Sequence, residues 1–386
     1  MRILVVTSQF PIAGEPTRGR PILQTVSELA KLAEVRVVSP VATYPNWAKP
    51  RSYLFRAPDA AGAVPDCEVE YVSYPALPLI SRPLNGVLCA RAIAPAVRKF
   101  APDVLLSYWL YPDAWGAMRA AQRNNLPLVA GARGSDIRVR DSISRFMTRQ
   151  VVRAADRLLV VSADLGTLAA RDYDADPRHV RVIPNGCDAA TFHLRDRAQA
   201  RNELGIAAGA EIVIYVGRLV AEKGLRELIE AMRALAATHP QSELVLVGDG
   251  PLRAELDLAA ANLPGRIRQT GALPPERVAT WLAAANVLAL PSYSEGHPNV
   301  IVEALACGLP VVATPVGGIP EVVDATCAIL VPPRDSAALA RGLDEALRRT
   351  WDETALSRRF SRDWRTVAAE TLEVCEDAAR DRPGRA

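Results

Sequence analysis

The 386-residue chain is poor in lysine, in histidine and in paired cysteine. Only four of its 46 basic residues are lysine, and none of its four histidines lies four positions from another. The six cysteines form no Cys-x-x-Cys pair. These absences argue against a zinc site, and they indicate reduced, structural cysteines of an intracellular protein.

Long apolar runs and two common nucleotide-binding motifs are also missing. No run approaches the length of a membrane span, and the apolar run Ile3–Val6 is too short for a signal peptide. The chain has neither a GxxxxGK[ST] loop nor GxGxxG after its first strand, which disfavours a P-loop enzyme and a dehydrogenase. We therefore expect a cytoplasmic protein whose only membrane contact is peripheral, at the inner face of the plasma membrane.

Charge is unevenly distributed along the chain. The net charge is +3, which argues against a dedicated nucleic-acid binder, but residues 1–187 carry +8 and the remainder −5. The basic half is either a solvated arginine-rich surface or a surface for an anionic partner or membrane. Helical spacings among Arg138, Arg145, Arg149 and Arg153 allow one basic helix face, which is either solvated or in contact with acidic lipid.

Short, continuous apolar runs alternate with helical patterns, which predicts parallel sheets whose strands are buried on both faces. The predicted strands are Arg2–Ser8, Val35–Pro40, Val69–Tyr74, Val104–Trp109, Leu128–Ala132, Arg157–Ser162, Val180–Ile183, Glu211–Gly217, Leu244–Gly248, Ile267–Gly271, Val287–Pro291, Pro310–Thr314 and Ala328–Pro332. Pro251 and Pro320 each follow a glycine-rich corner, and we predict both in the first turn of a helix.

Two α/β domains are expected from the length of the chain. The turn signal Asn185-Gly186 marks the boundary between them. We predict a first domain at residues 1–187, a second at 188–365, and a C-terminal helix and tail at 366–386 that packs back on the first.

Two carboxylates, Glu295 and Glu303, stand eight positions apart after a predicted strand. The loop after a strand and the next helix N-terminus form the ligand crevice of an open α/β sheet. Glu295 lies in that loop and Glu303 in the helix, with the N–H groups of Asn299 and Val300 predicted to be free for an anion between them. Hydroxyls at both ends and phosphate in the middle describe a nucleotide-sugar.

The segment Gly217–Gly224 supplies two cations to the same predicted crevice. Arg218 and Lys223 suit a diphosphate, and Lys223 is the only lysine after residue 187. The alternative is a surface cation at a helix start. The corners Gly248-Asp249-Gly250 and Gly317-Gly318 fall at strand ends on the same face.

These motifs, in this order, resemble the retaining glycosyltransferases of family 4, also called glycosyl transferases group 1, which have the GT-B architecture. That architecture has two Rossmann-like, doubly wound domains facing each other across a cleft. The resemblance covers nearly the whole chain. It is carried by Ile183-Pro184-Asn185-Gly186, Gly217-Arg218, Glu222-Lys223-Gly224, Gly248-Asp249-Gly250-Pro251, Glu295–Glu303 and Glu303–Val322.

The resemblance implies a role for each donor-site residue. Glu303 would bind ribose hydroxyls and Glu295 the hydroxyls of the donor sugar, while Arg218 and Lys223 neutralise the diphosphate. No metal or other cofactor is implied. The remaining implied donor contacts are Gly19, Gly217, Gly248, Leu273, Gly296, His297, Asn299 and Val300.

One segment departs from the family pattern. Many members have His-Gly-x-Asp where this chain has Arg133-Gly134-Ser135-Asp136. Arginine cannot act as a base at neutral pH. We therefore expect a same-face mechanism in which the leaving phosphate accepts the acceptor's proton and Arg133 stabilises that phosphate. The residues assigned to catalysis are Arg133, Asp136, Arg218, Lys223 and Glu295.

The sequence favours a glycosyltransferase that moves a sugar from a nucleotide-diphosphate sugar to a hydroxyl, in bacterial polysaccharide or glycolipid synthesis. Its acceptor would be anionic or lipid-linked. A nucleotide-sugar 2-epimerase of the same architecture is one alternative, which a released nucleoside diphosphate and an acceptor-independent epimer would support. A nucleotide-sugar-binding subunit without activity is another, which donor binding without turnover would support.

Overall fold

A computed structural model describes residues 1–12, 18–48, 67–78, 80–139, 141–263, 265–359 and 362–381. Residues 13–17, which precede the implied donor contact Gly19, lie outside these ranges. The chain divides into two compact units. The first is formed by Met1–Gly186 and Trp364–Ala386, and the second by Cys187–Asp363.

The first unit is built on a seven-stranded parallel sheet of order β3-β2-β1-β4-β5-β6-β7. Its strands are β1 (Arg2–Val6), β2 (Glu34–Thr43), β3 (Glu68–Pro75), β4 (Val104–Tyr108), β5 (Leu128–Ala132), β6 (Arg157–Val160) and β7 (Val180–Val182). The central strands read as unbroken apolar runs because both of their faces are covered, and β4 and β5 are buried at every position.

The second unit repeats this plan with a six-stranded parallel sheet of order β10-β9-β8-β11-β12-β13. Its strands are β8 (Glu211–Val216), β9 (Ser242–Val247), β10 (Ile267–Gly271), β11 (Val287–Leu290), β12 (Val311–Ala313) and β13 (Ala328–Leu330). All thirteen predicted strands are therefore confirmed, and each unit is Rossmann-like.

Helices cover the faces of both sheets. They are α1 (Arg20–Leu29), α2 (Asn85–Phe100), α3 (Trp115–Asn124), α4 (Ser142–Ala154), α5 (Ala163–Tyr173), α6 (Arg197–Leu204), α7 (Leu225–Leu235), α8 (Arg253–Ala261), α9 (Pro275–Ala284), α10 (Asn299–Ala306), α11 (Ile319–Val322), α12 (Ser336–Arg348), α13 (Glu353–Arg358) and α14 (Trp364–Arg380).

The two predicted proline helix starts had different outcomes. Pro320 lies in the first turn of α11, as predicted. The prediction for Pro251 was wrong, because Pro251 stays in a turn and α8 begins at Arg253, two residues later. The backbone of Leu252 explains the delay, since its N–H donates to the Leu219 carbonyl at 3.0 Å and anchors the turn before the helix.

The last helix, α14, belongs to the first unit. It packs against α1, and its buried Val367, Ala368 and Cys375 join the core under β1 and β4. An ion pair between Arg157 and Asp381 fastens its C-terminal end to β6. Burial of this apolar face on the first sheet explains why the chain returns to the first unit after completing the second.

No helix among the described residues is long and apolar enough to cross a membrane.

Candidate active site

The strand order of the second sheet reverses between β8 and β11. In doubly wound sheets, ligands bind beyond the carboxyl ends of the strands at this point. The segment Gly217–Gly224 follows β8, and the loop Pro291–Pro298 follows β11. The two segments that were selected from the sequence for their charges are therefore neighbours at the reversal.

Lys223 and Glu295 form an ion pair across this reversal. The Lys223 Nζ lies 2.6 Å from Glu295 Oε1, and the Ser292 hydroxyl donates to the same oxygen at 2.7 Å. The two charged side chains are only 23% and 11% exposed. The sequence placed both residues in one crevice but did not predict their contact. Because Glu295 offsets the Lys223 charge, a diphosphate entering here meets a less cationic crevice than two free cations would make.

Two glycines hold the loops of this pair together. Gly224 has φ +67°, and a Cβ there would lie 2.1 Å from the Pro291 carbonyl oxygen. Gly317 has φ +58°, and a Cβ there would lie 1.9 Å from the carbonyl oxygen of Glu295. Any larger residue at either position would separate backbones that now touch, so these glycines set the position of Lys223 and Glu295.

Arg218 lies on the surface at the start of the loop after β8. Its carbonyl accepts a 2.8 Å hydrogen bond from the buried Tyr215 hydroxyl, whose pKa is raised by burial. Gly217 and Gly248 pack their backbones together, since a Cβ on Gly248 would lie 1.9 Å from the Gly217 carbonyl oxygen. The backbone beneath Arg218 is therefore fixed while its side chain stays exposed.

Tyr293 lies in the same loop as Glu295, and the sequence did not reveal its role there. Its hydroxyl donates to Glu227 Oε1 at 2.6 Å, and its N–H donates to the Glu222 carbonyl at 2.8 Å. Burial and the hydrogen bond to Glu227 raise the pKa of Tyr293 to about 12. The Arg334 guanidinium lies 4.6 Å from its ring centroid. The neutral phenol thus fixes the loop before Glu295.

The start of α10 differs from the prediction in one respect. The Asn299 N–H is not free, because it donates to the His297 carbonyl at 3.0 Å. The side chains of His297 and Asn299 also approach, with Nδ1 3.2 Å from Oδ1. Val300 follows in the first turn, and the next residue, Ile301, donates its N–H to the Pro298 carbonyl at 2.9 Å. The prediction of two free N–H groups was therefore wrong at Asn299, where the tight His297 turn uses the donor.

Glu303 lies in the second turn of α10 and is partly buried. Gly296 lies in the loop before this helix, beside Glu295. Leu273 follows β10 and packs its partly buried side chain on the apolar core. The Gly248 N–H donates to the Gly271 carbonyl at 2.9 Å, which joins the ends of β9 and β10. The predicted donor residues of this unit thus all lie on loops at the carboxyl edge of one sheet or on the helix that follows.

Arg133 lies at the carboxyl end of β5 in the first unit. Its guanidinium stacks 4.7 Å above the Tyr108 ring and donates to the Asn185 side chain. Burial lowers the pKa of this guanidinium, although the Tyr108 side chain opposes the shift. Within the described residues, its Nε has no hydrogen-bond partner.

Asp136 shapes the loop that carries Arg133. Its Oδ1 accepts the N–H groups of Arg133 and Gly134, each at 2.9 Å. Burial raises the pKa of this carboxyl, and the two N–H bonds partly offset that effect. These contacts stabilise a fixed turn after β5. A direct part for Asp136 in the reaction stays a prediction.

Asp113 is a buried carboxylate at the reversal of the first sheet, between β1 and β4, and the sequence analysis did not select it. Its Oδ2 accepts the Ser8 N–H at 2.5 Å, and burial raises its pKa to about 7. The next loop residue, Gln9, touches Gly19, where a Cβ would lie 1.9 Å from the Gln9 carbonyl oxygen. The sequence did contain a signal for it, because Asp113 in Tyr111-Pro112-Asp113 comes shortly after a predicted strand.

Among the described residues, no group of three or more histidine, cysteine, aspartate or glutamate side chains is placed to hold a metal ion. All six cysteines are free thiols.

Comparison with known proteins identifies the family. The model for Glycosyltransferase Family 4 matches residues 20–191, and the model for Glycosyl transferases group 1 matches residues 210–349. The chain is 30% identical over 355 residues to a Bacillus subtilis (strain 168) protein described as the teichuronic acid biosynthesis glycosyltransferase TuaC, covering 89% of this chain and 88% of that protein. It is 34% identical over 299 residues to the D-inositol 3-phosphate glycosyltransferase of Corynebacterium kroppenstedtii, covering 71% and 65%.

Solved structures share the fold over nearly the whole chain. Sucrose-phosphate synthase from Thermosynechococcus elongatus superposes with a TM-score of 0.80 at 24% identity, covering 97% of this chain and 98% of that one. Anabaena HepE, solved with UDP and glucose, gives 0.75 at 21% identity, covering 97% and 99%. The fold is therefore GT-B, and the chain belongs to the family 4, or group 1, glycosyltransferases.

Proposed function

We propose that this glycosyltransferase moves a sugar, with retention of anomeric configuration, from a nucleotide-diphosphate sugar to a hydroxyl acceptor. The reaction needs no metal ion. The acceptor is a growing bacterial polysaccharide or glycolipid, including lipid-linked forms at the membrane surface. The similarity to TuaC supports the polysaccharide setting.

The Lys223–Glu295 pair at the strand-order reversal is the observation that carries the donor assignment. Both contacts to Glu295 described above fall on Oε1, so its Oε2 can accept a sugar hydroxyl. Lys223 and the exposed Arg218 bind the diphosphate oxygens, and Glu303 binds the ribose hydroxyls. Positive charges fixed before the reaction stabilise the leaving diphosphate without having to reorganise.

The transfer step can be written for one face of the sugar. The acceptor oxygen bonds to the anomeric carbon while the bond from that carbon to the diphosphate oxygen breaks. The departing phosphate oxygen takes the acceptor proton, so no separate protein base is required. Arg133 stabilises this phosphate in the proposal through the positive charge of its guanidinium.

Calorimetry against a panel of nucleoside diphosphates and their sugars tests the donor site, because a ligand of the folded state binds with measurable heat and raises the melting temperature. Glu303→Ala should weaken every ribonucleotide about tenfold, whereas the exposed Glu345→Ala control should not. Equal affinities for both variants and wild type would remove the ribose assignment.

Product analysis tests the reaction itself. With the bound donor and an acceptor panel, the anomeric configuration of the product by NMR should match that of the donor, and turnover should survive EDTA. A product of inverted configuration would refute retention. Loss of turnover in EDTA would refute metal independence. If Arg133→Ala and Arg133→His both keep full turnover, Arg133 has no part in the step.

A further inference from the structure

Four large apolar side chains of the first unit are exposed on two adjoining elements. Ile80 is 76% exposed and Leu84 58%, both in the turn before α2. Ile143 is 38% exposed and Phe146 59%, both in the first turns of α4. We call these four residues the apolar patch. Single exposed apolar side chains are ordinary, whereas apolar side chains grouped on neighbouring elements are typical of a surface that binds a partner or a membrane.

A direct contact joins the two halves of the apolar patch. The Arg82 Nη1 lies 3.2 Å from Asp141 Oδ2, and Asp141 also caps α4 by accepting the Ser144 N–H at 2.8 Å. The turn that holds Ile80 and Leu84 is therefore fastened to the first turn of α4. The patch is a fixed surface of the folded unit.

A row of arginines runs beside the apolar patch. Arg145, Arg149 and Arg153 are spaced four residues apart on α4 and are all exposed, and no acidic residue occurs within Ser142–Ala154. Residues three and four apart share a helix face, so Phe146 lies next to Arg149 and the apolar patch adjoins the arginine row. Asp174 partly balances Arg149, with a 3.1 Å contact.

Both elements of the patch start at the carboxyl edge of the first sheet. The Ile80–Leu84 turn follows β3, and α4 follows the loop after β5 that carries Arg133. A surface that docks through this patch would therefore lie beside the loop on which the proposed function places a reacting group.

We propose that the apolar patch and the arginine row of α4 dock this protein on an anionic lipid bilayer. Apolar side chains next to a row of cations match the interface of such a bilayer, where apolar groups enter and arginines meet phosphate headgroups. A second copy of the chain is a poorer occupant, because two arginine rows would repel each other. This surface would make the membrane contact of the proposed function, on which the proposal rests.

Vesicle co-sedimentation of the full chain tests the docking without substrate. The probes are phosphatidylcholine vesicles alone and vesicles with roughly one third phosphatidylglycerol, at low and high salt. Two double variants are compared with the wild type. The apolar double variant combines Leu84→Ser with Phe146→Ser, and the arginine double variant combines Arg145→Gln with Arg153→Gln. The matched control is Leu258→Ser, which removes a side chain that is 69% exposed in the second unit.

The proposal predicts binding to the anionic vesicles that high salt weakens. The apolar double variant should lower the partition coefficient roughly tenfold, and each arginine removed should lower it about fivefold, with Leu258→Ser unchanged. The proposal would be overturned if the wild-type protein did not bind anionic vesicles, or if the patch variants bound them as tightly as the wild type does. A dimer in sedimentation velocity that the patch variants abolish would overturn it as well. Melting temperature and nucleoside-diphosphate calorimetry of each variant show separately whether the fold and the donor site are intact.

Discussion

Asp113 and Glu295 occupy matching places in the two sheets. Each follows the fourth strand of its unit, and each bonds to the segment after the first strand, where the strand order reverses. Asp113 is fully buried and accepts a backbone N–H of Ser8. Glu295 is partly exposed and accepts the Lys223 ammonium. The same topological position thus supports the backbone in one unit and presents a charge pair to solvent in the other.

The difference follows from the partner of each carboxylate. A buried carboxylate such as Asp113, which accepts hydrogen bonds from the neutral backbone and side chain of Ser8, loses solvation that these bonds do not replace, so its pKa rises. In an ion pair each charge compensates the other, and because Lys223 and Glu295 remain 23% and 11% exposed, they are able to exchange partners with a charged ligand. We therefore expect changes at Asp113 to act on stability and changes at Glu295 to act on donor use.

The largest expected effect is on the pH dependence of stability through Asp113. Its folded pKa of about 7 exceeds the usual 3.8, so the folded state binds more protons than the unfolded state between these values. Stability should therefore fall as pH rises through this window, by at most about 4 kcal/mol. We expect Asp113→Asn to reduce the difference in free energy of unfolding between pH 5 and pH 8, measured by urea unfolding. The exposed Asp257→Asn should leave that difference unchanged. Parallel pH profiles for wild type and Asp113→Asn would contradict the buried-carboxylate account.

Next is the loss of transfer at Glu295. Glu295→Gln keeps the size of the side chain but removes the charge that pairs with Lys223. We expect kcat/KM to fall about 100-fold, or about 3 kcal/mol, with little change in melting temperature. The measurement is initial rates with the donor selected by calorimetry, and Glu345→Gln is the control. A large drop in melting temperature with normal kcat/KM would give Glu295 the structural role assigned to Asp113.

A smaller effect is expected at Gly317, whose backbone touches the Glu295 carbonyl. Gly317→Ala adds a Cβ to a residue with φ +58° and 1.9 Å from that oxygen. It should cost about 1–3 kcal/mol of stability and weaken donor binding as the Glu295 loop moves. Gly209→Ala is the control, since no atom lies within 4 Å of its added Cβ. Unaltered donor affinity in Gly317→Ala would show that the loop position does not matter.

The sequence was sufficient for the strands and for placing the loops after β8 and β11 at one edge of a sheet, but not for the contacts between these loops. Continuous apolar runs predicted the central strands because a parallel sheet buries both of their faces, whereas the edge strands β3, β7 and β10 carry polar residues and are partly exposed. The Lys223–Glu295 contact joins residues 72 positions apart, and only the strand order brings them together. Asp113 was missed because burial, rather than its neighbours in sequence, makes it unusual. Asn299 was misjudged because a local turn at His297 used its N–H.

We propose that Lys223, at the reversal in the second unit, binds the donor diphosphate, whereas Asp113, at the reversal in the first unit, is structural. Calorimetric titration of one nucleoside diphosphate into wild type, Lys223→Met and Asp113→Asn tests it directly. The account predicts at least tenfold weaker binding for Lys223→Met and unchanged binding for Asp113→Asn. Unchanged affinity in Lys223→Met, together with lost affinity in a folded Asp113→Asn, would contradict it.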